Sequence, residues 1–154
     1  MGCGPIPELV EQLRIVLDET VQISVVCGSN ERLMKSLAAD NAHLRSIHIL
    51  GYVSEMSLLY DSADLLLTKP GGITTTEAAV KGLPMVLVNA VAGCEGHNLN
   101  FFLEKGGALT GETMEELCAC CASLLEDPET LSQMSAALGD IAFPDAAERI
   151  YTAM

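Results

Sequence analysis

The chain has 154 residues, of which 49% are hydrophobic and only 4% aromatic, with no tryptophan. This composition excludes a disordered tail and suits one domain with a core of Leu, Val, Ile, Ala and Met. With 8 Lys and Arg against 21 Asp and Glu, the formal charge is −13; that argues against nonspecific nucleic-acid binding and against a polybasic membrane anchor. A specific anionic ligand stays open, because helix N-termini bind phosphate through backbone N–H groups.

Ile6, Leu9, Val10, Leu13, Val16 and Leu17 recur at helical spacing and predict a helix from Pro5 to Glu19, with both prolines in its first turn. The β-rich run Val21–Cys27 follows and stops at Gly28-Ser29-Asn30, after which a second helix runs to about Ala39. Ile47–Leu50 reads as a strand ending at Gly51, Met56–Asp61 as a short helix, and Asp64–Thr68 as a strand ending at Lys69-Pro70-Gly71-Gly72. Thr74–Lys81 reads as a helix closed by Gly82, Met85–Val88 as a strand, Asn98–Lys105 as a helix and Ala108–Leu109 as a short edge strand, with two or three helices at the end. Strands alternating with helices imply right-handed βαβ units: a doubly wound α/β fold with a parallel sheet covered on both faces. Ligands in such folds sit beyond the carboxyl ends of the strands.

Nothing strand-like precedes the glycine-rich start Gly2-Cys3-Gly4. The chain is therefore expected to begin just after the first strand of its domain and to be a fragment lacking a central strand, with a short native arm as the alternative. Such a fragment is expected to borrow a strand from a neighbouring copy or to expose an edge. No apolar run reaches the length of a membrane span, and the N-terminus lacks the regions of a signal peptide. The 6 cysteines, Cys3, Cys27, Cys94, Cys118, Cys120 and Cys121, are irregularly spaced and read as reduced core thiols of a cytosolic protein. Cys118 and Cys121 share a helix face, which leaves zinc or redox chemistry as the sharper alternative.

The segment Thr68-Lys69-Pro70-Gly71-Gly72-Ile73-Thr74-Thr75-Thr76-Glu77-Ala78 runs from a strand through two glycines into a helix rich in hydroxyls. Glycines let a phosphate approach the backbone, free N–H groups and the helix dipole hold it, and Thr74 or Thr75 adds a hydroxyl. Glu77, on the face of Thr74, can accept hydrogen bonds from two adjacent sugar hydroxyls. The same residues also suit a plain turn with a threonine cap and a first-turn carboxylate; taken alone, they leave the two readings level. Gly51-Tyr52-Val53 offers a stacking ring and backbone groups after a strand. Gly28-Ser29-Asn30 reads as a turn with an Asn cap, and Glu112, Glu115 and Glu116 as a solvated face. The polar loop Ala92–Asn98 presents Glu95, His97 and Asn98, with His97 more at home as a solvent-facing residue than as a base.

Taken together, Gly51-Tyr52-Val53, Lys69-Pro70-Gly71-Gly72-Ile73-Thr74-Thr75-Thr76-Glu77-Ala78, Lys81-Gly82-Leu83-Pro84, Gly93-Cys94-Glu95 and Asn98 resemble the nucleotide-sugar-binding C-terminal domain of GT-B glycosyltransferases of family 28 type. Within that fold the chain is most similar to the monogalactosyldiacylglycerol synthase and processive diacylglycerol glucosyltransferase group. The resemblance implies a Rossmann-like C-terminal half of a two-domain enzyme over residues 1–154. It implies transfer of a hexose from a UDP-sugar to a lipid hydroxyl with inversion, without a cofactor or bound metal. Gly2 and Gly4 would face the diphosphate, and Gly28 and Asn30 would line the donor site. Tyr52 and Val53 would hold uracil, Gly71, Gly72 and Thr74 the diphosphate, and Glu77 the ribose. Glu95 and Asn98 would lie near phosphate and donor sugar, where Cys94 replaces the usual Gln and leaves the sugar open. The general base, the lipid acceptor site and peripheral attachment to the cytoplasmic membrane face would belong to the N-terminal domain, so that this chain alone is expected to be inactive. A UDP-N-acetylglucosamine 2-epimerase and a non-catalytic UDP-sugar-binding module are the rival readings.

Overall fold

The computed structural model describes residues 6–88 and 94–153. Gly2 and Gly4, together with Ala92 and Gly93 of the polar loop, lie outside the described residues. The chain divides into two compact units, residues 1–56 and 57–154.

In the first unit the order is α1 (Ile6–Val16), β1 (Ile23–Val26), α2 (Glu31–Asp40) and β2 (Ile47–Leu50). The two strands pair in parallel from Ile23 opposite Ile47 to Val26 opposite Leu50. Val10 and Leu13, three residues apart on α1, are buried, as are Leu37 of α2 and Ile47 of β2. Cys27 extends the ladder by one bond, its N–H donating to the Leu50 carbonyl at 2.8 Å. Gly28 then takes φ 57°, a conformation costly for any residue with a Cβ, and turns the chain toward α2. Burial alternates along β1, with Ser24 and Val26 exposed. The expected cover on both faces therefore fails at this strand: Ser24 interrupts the continuous apolar run that two-sided burial requires.

The second unit contains α3 (Met56–Ser62), β3 (Leu66–Thr68), α4 (Gly72–Val80), β4 (Met85–Val88), α5 (Cys94–Glu104), β5 (Ala108–Gly111), α6 (Met114–Leu125), α7 (Pro128–Ile141) and α8 (Ala146–Ala153). Its three strands lie in the order β3-β4-β5, all parallel. Met85, Val86 and Leu87 are each fully buried. Successive side chains point to opposite faces, so the sheet is covered on both at β4, as the apolar run predicts. Helix α6 packs on β4 and β5, α5 on β5 and α4, and α7 on α4 and α6. Leu138 on α7 is fully buried in that layer.

Local chemistry sets the helix starts. Thr113 and Glu116 form a reciprocal capping box at α6, so Glu116 of the predicted solvated face has a structural task. Asp127 caps α7, with Pro128 beside it at the first helical position. Two helices begin earlier than their patterns predict: α4 starts at Gly72 rather than Thr74, and α5 at Cys94 rather than Asn98. Gly72 has a helix-compatible backbone, and the polar residues Glu95 to Asn98 supply a first turn that apolar periodicity does not register.

Cys27, Cys118 and Cys121 are buried free thiols. Burial pushes the Cys121 thiol up to about 12, with the neighbouring Cys118 and Cys120 acting in the same direction. It is therefore a neutral packing group at ordinary pH. Among the described residues no cluster of three or more His, Cys, Asp or Glu side chains is placed to hold a metal ion.

Candidate functional site

The carboxyl end of β3 runs through Lys69 and Pro70 into the start of α4. Pro70 is fully buried and anchors the turn. The Asn98 side chain, one turn into α5, donates to the Pro70 carbonyl at 2.9 Å and braces it from the side. Gly71 is the N-cap residue, with φ −76° and ψ 134°, and no side chain caps the helix. The Gly71 N–H donates to the Lys69 carbonyl at 2.8 Å, so it is spent. The first three helical N–H groups, of Gly72, Ile73 and Thr74, have no intrahelical acceptor by geometry and point outward.

Neither glycine is demanded by the fold. The Gly71 backbone is ordinary extended structure, and a Cβ added there would meet nothing within 4 Å. At Gly72 the nearest neighbour of an added Cβ is the Asn98 amide nitrogen at 3.7 Å, an ordinary contact. Gly82 differs on both counts, with φ +62° and Ser135 Oγ at 2.9 Å from such a Cβ. The plain-turn reading of Gly71-Gly72 therefore loses its physical basis. What the two glycines achieve is an uncovered backbone.

Electrostatics point the same way. Six helices, α1, α2, α5, α6, α7 and α8, carry a carboxylate in the first turn; α4 and the short α3 carry none. In a chain with a formal charge of −13, the positive end of the α4 dipole is left uncompensated. Of the two candidate hydroxyls, Thr75 is buried and committed, donating to the Gly71 carbonyl at 2.9 Å. Thr74, half-buried, is the one that remains. Glu77 stands exposed one turn deeper and accepts a hydrogen bond from the Tyr60 hydroxyl at 3.3 Å.

Glu95 and Asn98 lie three residues apart on α5, both half-buried and on one helix face. Asn98 joins the α4 turn through Pro70; Glu95 makes no side-chain hydrogen bond among the described residues. Cys94 opens α5. In the first unit, Asn30 caps α2, its side-chain oxygen accepting from the Leu33 N–H at 3.1 Å, so the turn role expected of Gly28-Ser29-Asn30 holds. A Cβ on Gly51 would lie 3.0 Å from Met34 Sδ and 4.0 Å from the Gly28 carbonyl, which brings these two strand-end loops together. Tyr52 projects with 81% of its surface exposed, and Val53 beside it is half-buried.

Sequence reasoning missed two contributors. Ile73, 80% exposed, offers its N–H from the middle of the bare turn; the signal available in the sequence was its place directly after Gly71-Gly72. Tyr60 belongs to a different helix from Glu77, and no local spacing announces the pair. A cavity of about 320 Å³ bordered by Asp61, Lys81, Leu131 and Ser135 lies by the turn entering β4. That is the amino end of the strand, so this cavity is not the strand-end site.

Residues 4–150 match the glycosyltransferase family 28 C-terminal domain. The processive diacylglycerol beta-glucosyltransferase of Bacillus subtilis (strain 168) is 40% identical over 146 residues, covering 94% of this chain and 38% of the relative. The chain thus spans well under half the length of the curated relatives it matches. The crystal structure of Acinetobacter baumannii MurG superposes with a TM-score of 0.79 at 23% identity, over 97% of this chain and 45% of that one. Anabaena Alr3699/HepE in complex with UDP-glucose superposes at 0.66 with 20% identity, over 86% of this chain and 38% of that one. These two likenesses are of fold, and they agree with the parallel α/β architecture. The extent of the family match and the 40% identity decide the matter: the chain belongs to glycosyltransferase family 28, through its C-terminal domain.

Proposed function

We propose that this chain is the donor-binding part of an inverting glycosyltransferase that moves a hexose from a UDP-sugar to the hydroxyl of a diacylglycerol-type lipid. The observation that carries the reading is the uncovered start of α4: two glycines that neither backbone geometry nor packing requires, no side-chain cap and no first-turn carboxylate. Such a terminus suits a diphosphate. Glu77, one turn on, suits the vicinal diol of the attached ribose. The N–H groups of Gly72, Ile73 and Thr74 would also stabilise the negative charge that grows on the departing UDP. They are in place before reaction, so that stabilisation costs no reorganisation.

The lipid acceptor is supported by the names of the relatives, which are diacylglycerol glucosyltransferases. Those names favour glucose over the galactose that a synthase of monogalactosyldiacylglycerol would use. The general base and the acceptor site are assigned to the portion of the relatives that this chain does not match, as is attachment to the cytoplasmic membrane face. No helix among the described residues is long and apolar enough to cross a membrane.

Incubating the full-length protein with radiolabelled UDP-glucose and diacylglycerol in mixed micelles tests this. The expected product is a β-glucosyl lipid, with residues 1–154 alone giving none. Release of a free epimerised sugar, or UDP binding with no glycolipid from the full-length protein, would contradict the assignment.

A further inference from the structure

Glu77 is an exposed carboxylate on a flexible side chain, yet its carboxylate is not free. Tyr60 is 7% exposed on α3, and its hydroxyl reaches across to Glu77 Oε2 at 3.3 Å, 17 residues away in sequence. Burial pushes the Tyr60 phenol up, and the Glu77 charge pushes it further, while the nearby Thr74 hydroxyl acts in the opposite direction. At neutral pH the phenol is thus a protonated donor, held rigidly by packing. It stands beside both the carboxylate assigned to the ribose and the hydroxyl assigned to the diphosphate.

We propose that Tyr60 is a positioning residue that fixes the Glu77 carboxylate for the vicinal diol of the bound nucleoside diphosphate. The inference rests on the donor-site reading above and adds a residue to it. A mobile carboxylate loses rotamer freedom each time it closes on two hydroxyls. One already tethered by a charge-assisted hydrogen bond from a buried donor loses less, and keeps its lone pairs aimed. A buried phenol also needs a partner simply to satisfy its hydroxyl. The two roles separate experimentally: satisfying a hydroxyl affects folding, whereas aiming a carboxylate affects discrimination between nucleotides with and without a full diol.

The test is calorimetric titration of the full-length protein with UDP and with 2′-deoxy-UDP. Wild type, Tyr60→Phe, Glu77→Ala and the double variant are compared, with thermal unfolding followed in parallel. Wild type is expected to prefer UDP. Tyr60→Phe keeps the ring and is expected to weaken UDP about fivefold, with less than about a twofold change for 2′-deoxy-UDP, so that the preference shrinks. In the Glu77→Ala background the same substitution is expected to change neither affinity, because its action runs through Glu77. Equal weakening of both nucleotides, a lower melting temperature with the preference intact, or a full Tyr60→Phe effect without Glu77 would overturn the positioning role while leaving the donor site standing. Wild-type protein that binds neither nucleotide would overturn the donor-site reading, and this inference with it.

Discussion

Gly72→Ala is expected to make the protein slightly more stable and markedly worse at binding UDP. The added methyl meets only the Asn98 amide at 3.7 Å, and Gly72 has no positive φ to lose. The substitution therefore removes unfolded-state freedom at no steric cost to the fold, a gain of about 0.5 kcal/mol. The same methyl is added at the first residue of α4, where, on the proposed reading, a diphosphate makes its closest approach. Forcing it against a ligand costs about 2 kcal/mol, as overpacking does in a core, which is roughly a thirtyfold loss of affinity. Thermal unfolding and calorimetric titration on one preparation read both numbers. Opposite signs are the signature of a glycine kept for a ligand; a loss of stability with UDP affinity unchanged would return Gly72 to a turn.

Glu77→Ala acts on the other half of the nucleotide. A charged acceptor lost from hydroxyls costs about 1.5 kcal/mol at an exposed position, near the low end for such bonds, or roughly tenfold in binding. On the proposed reading Glu77 addresses the ribose, which would undergo no change in the reaction. Its contribution is therefore equal in ground and transition states. The expected kinetic result is a KM for UDP-glucose raised about tenfold with kcat nearly unchanged. The variant also leaves the buried Tyr60 hydroxyl without its acceptor, a stability cost of about 1 kcal/mol. A fall in kcat at unchanged KM would place Glu77 at the reacting bond rather than at the pentose.

The strands Ile47–Leu50 and Met85–Val88 were legible to the residue, because short apolar runs between turn-formers have few other uses. The family was legible from the loops as a set, since several segments agree with it in order and spacing. Less legible was how the backbone of Gly71-Gly72 is disposed. Spacing shows where glycines fall, but only geometry shows that Gly71 has already given its N–H to Lys69, that Thr75 is bonded back to Gly71, and that a Cβ would fit at either glycine. Ile73 carries no polar side chain to draw notice in the sequence; only its place in the first turn of α4 shows that its N–H is left without an intrahelical acceptor. Tyr60 was beyond reach for a different reason, since its partner is 17 residues away on another helix, and contacts between elements carry no local period. The start of α5 was missed because Glu95, His97 and Asn98 have no apolar rhythm, although Glu95 is a favourable first-turn residue.

A crystal structure of the protein with UDP is the decisive observation. The account predicts diphosphate oxygens about 3 Å from the amide nitrogens of Gly72 and Ile73, with the two ribose hydroxyls on the Glu77 carboxylate. Density for UDP lodged elsewhere on the protein, with the first turn of α4 still facing only solvent, would contradict it.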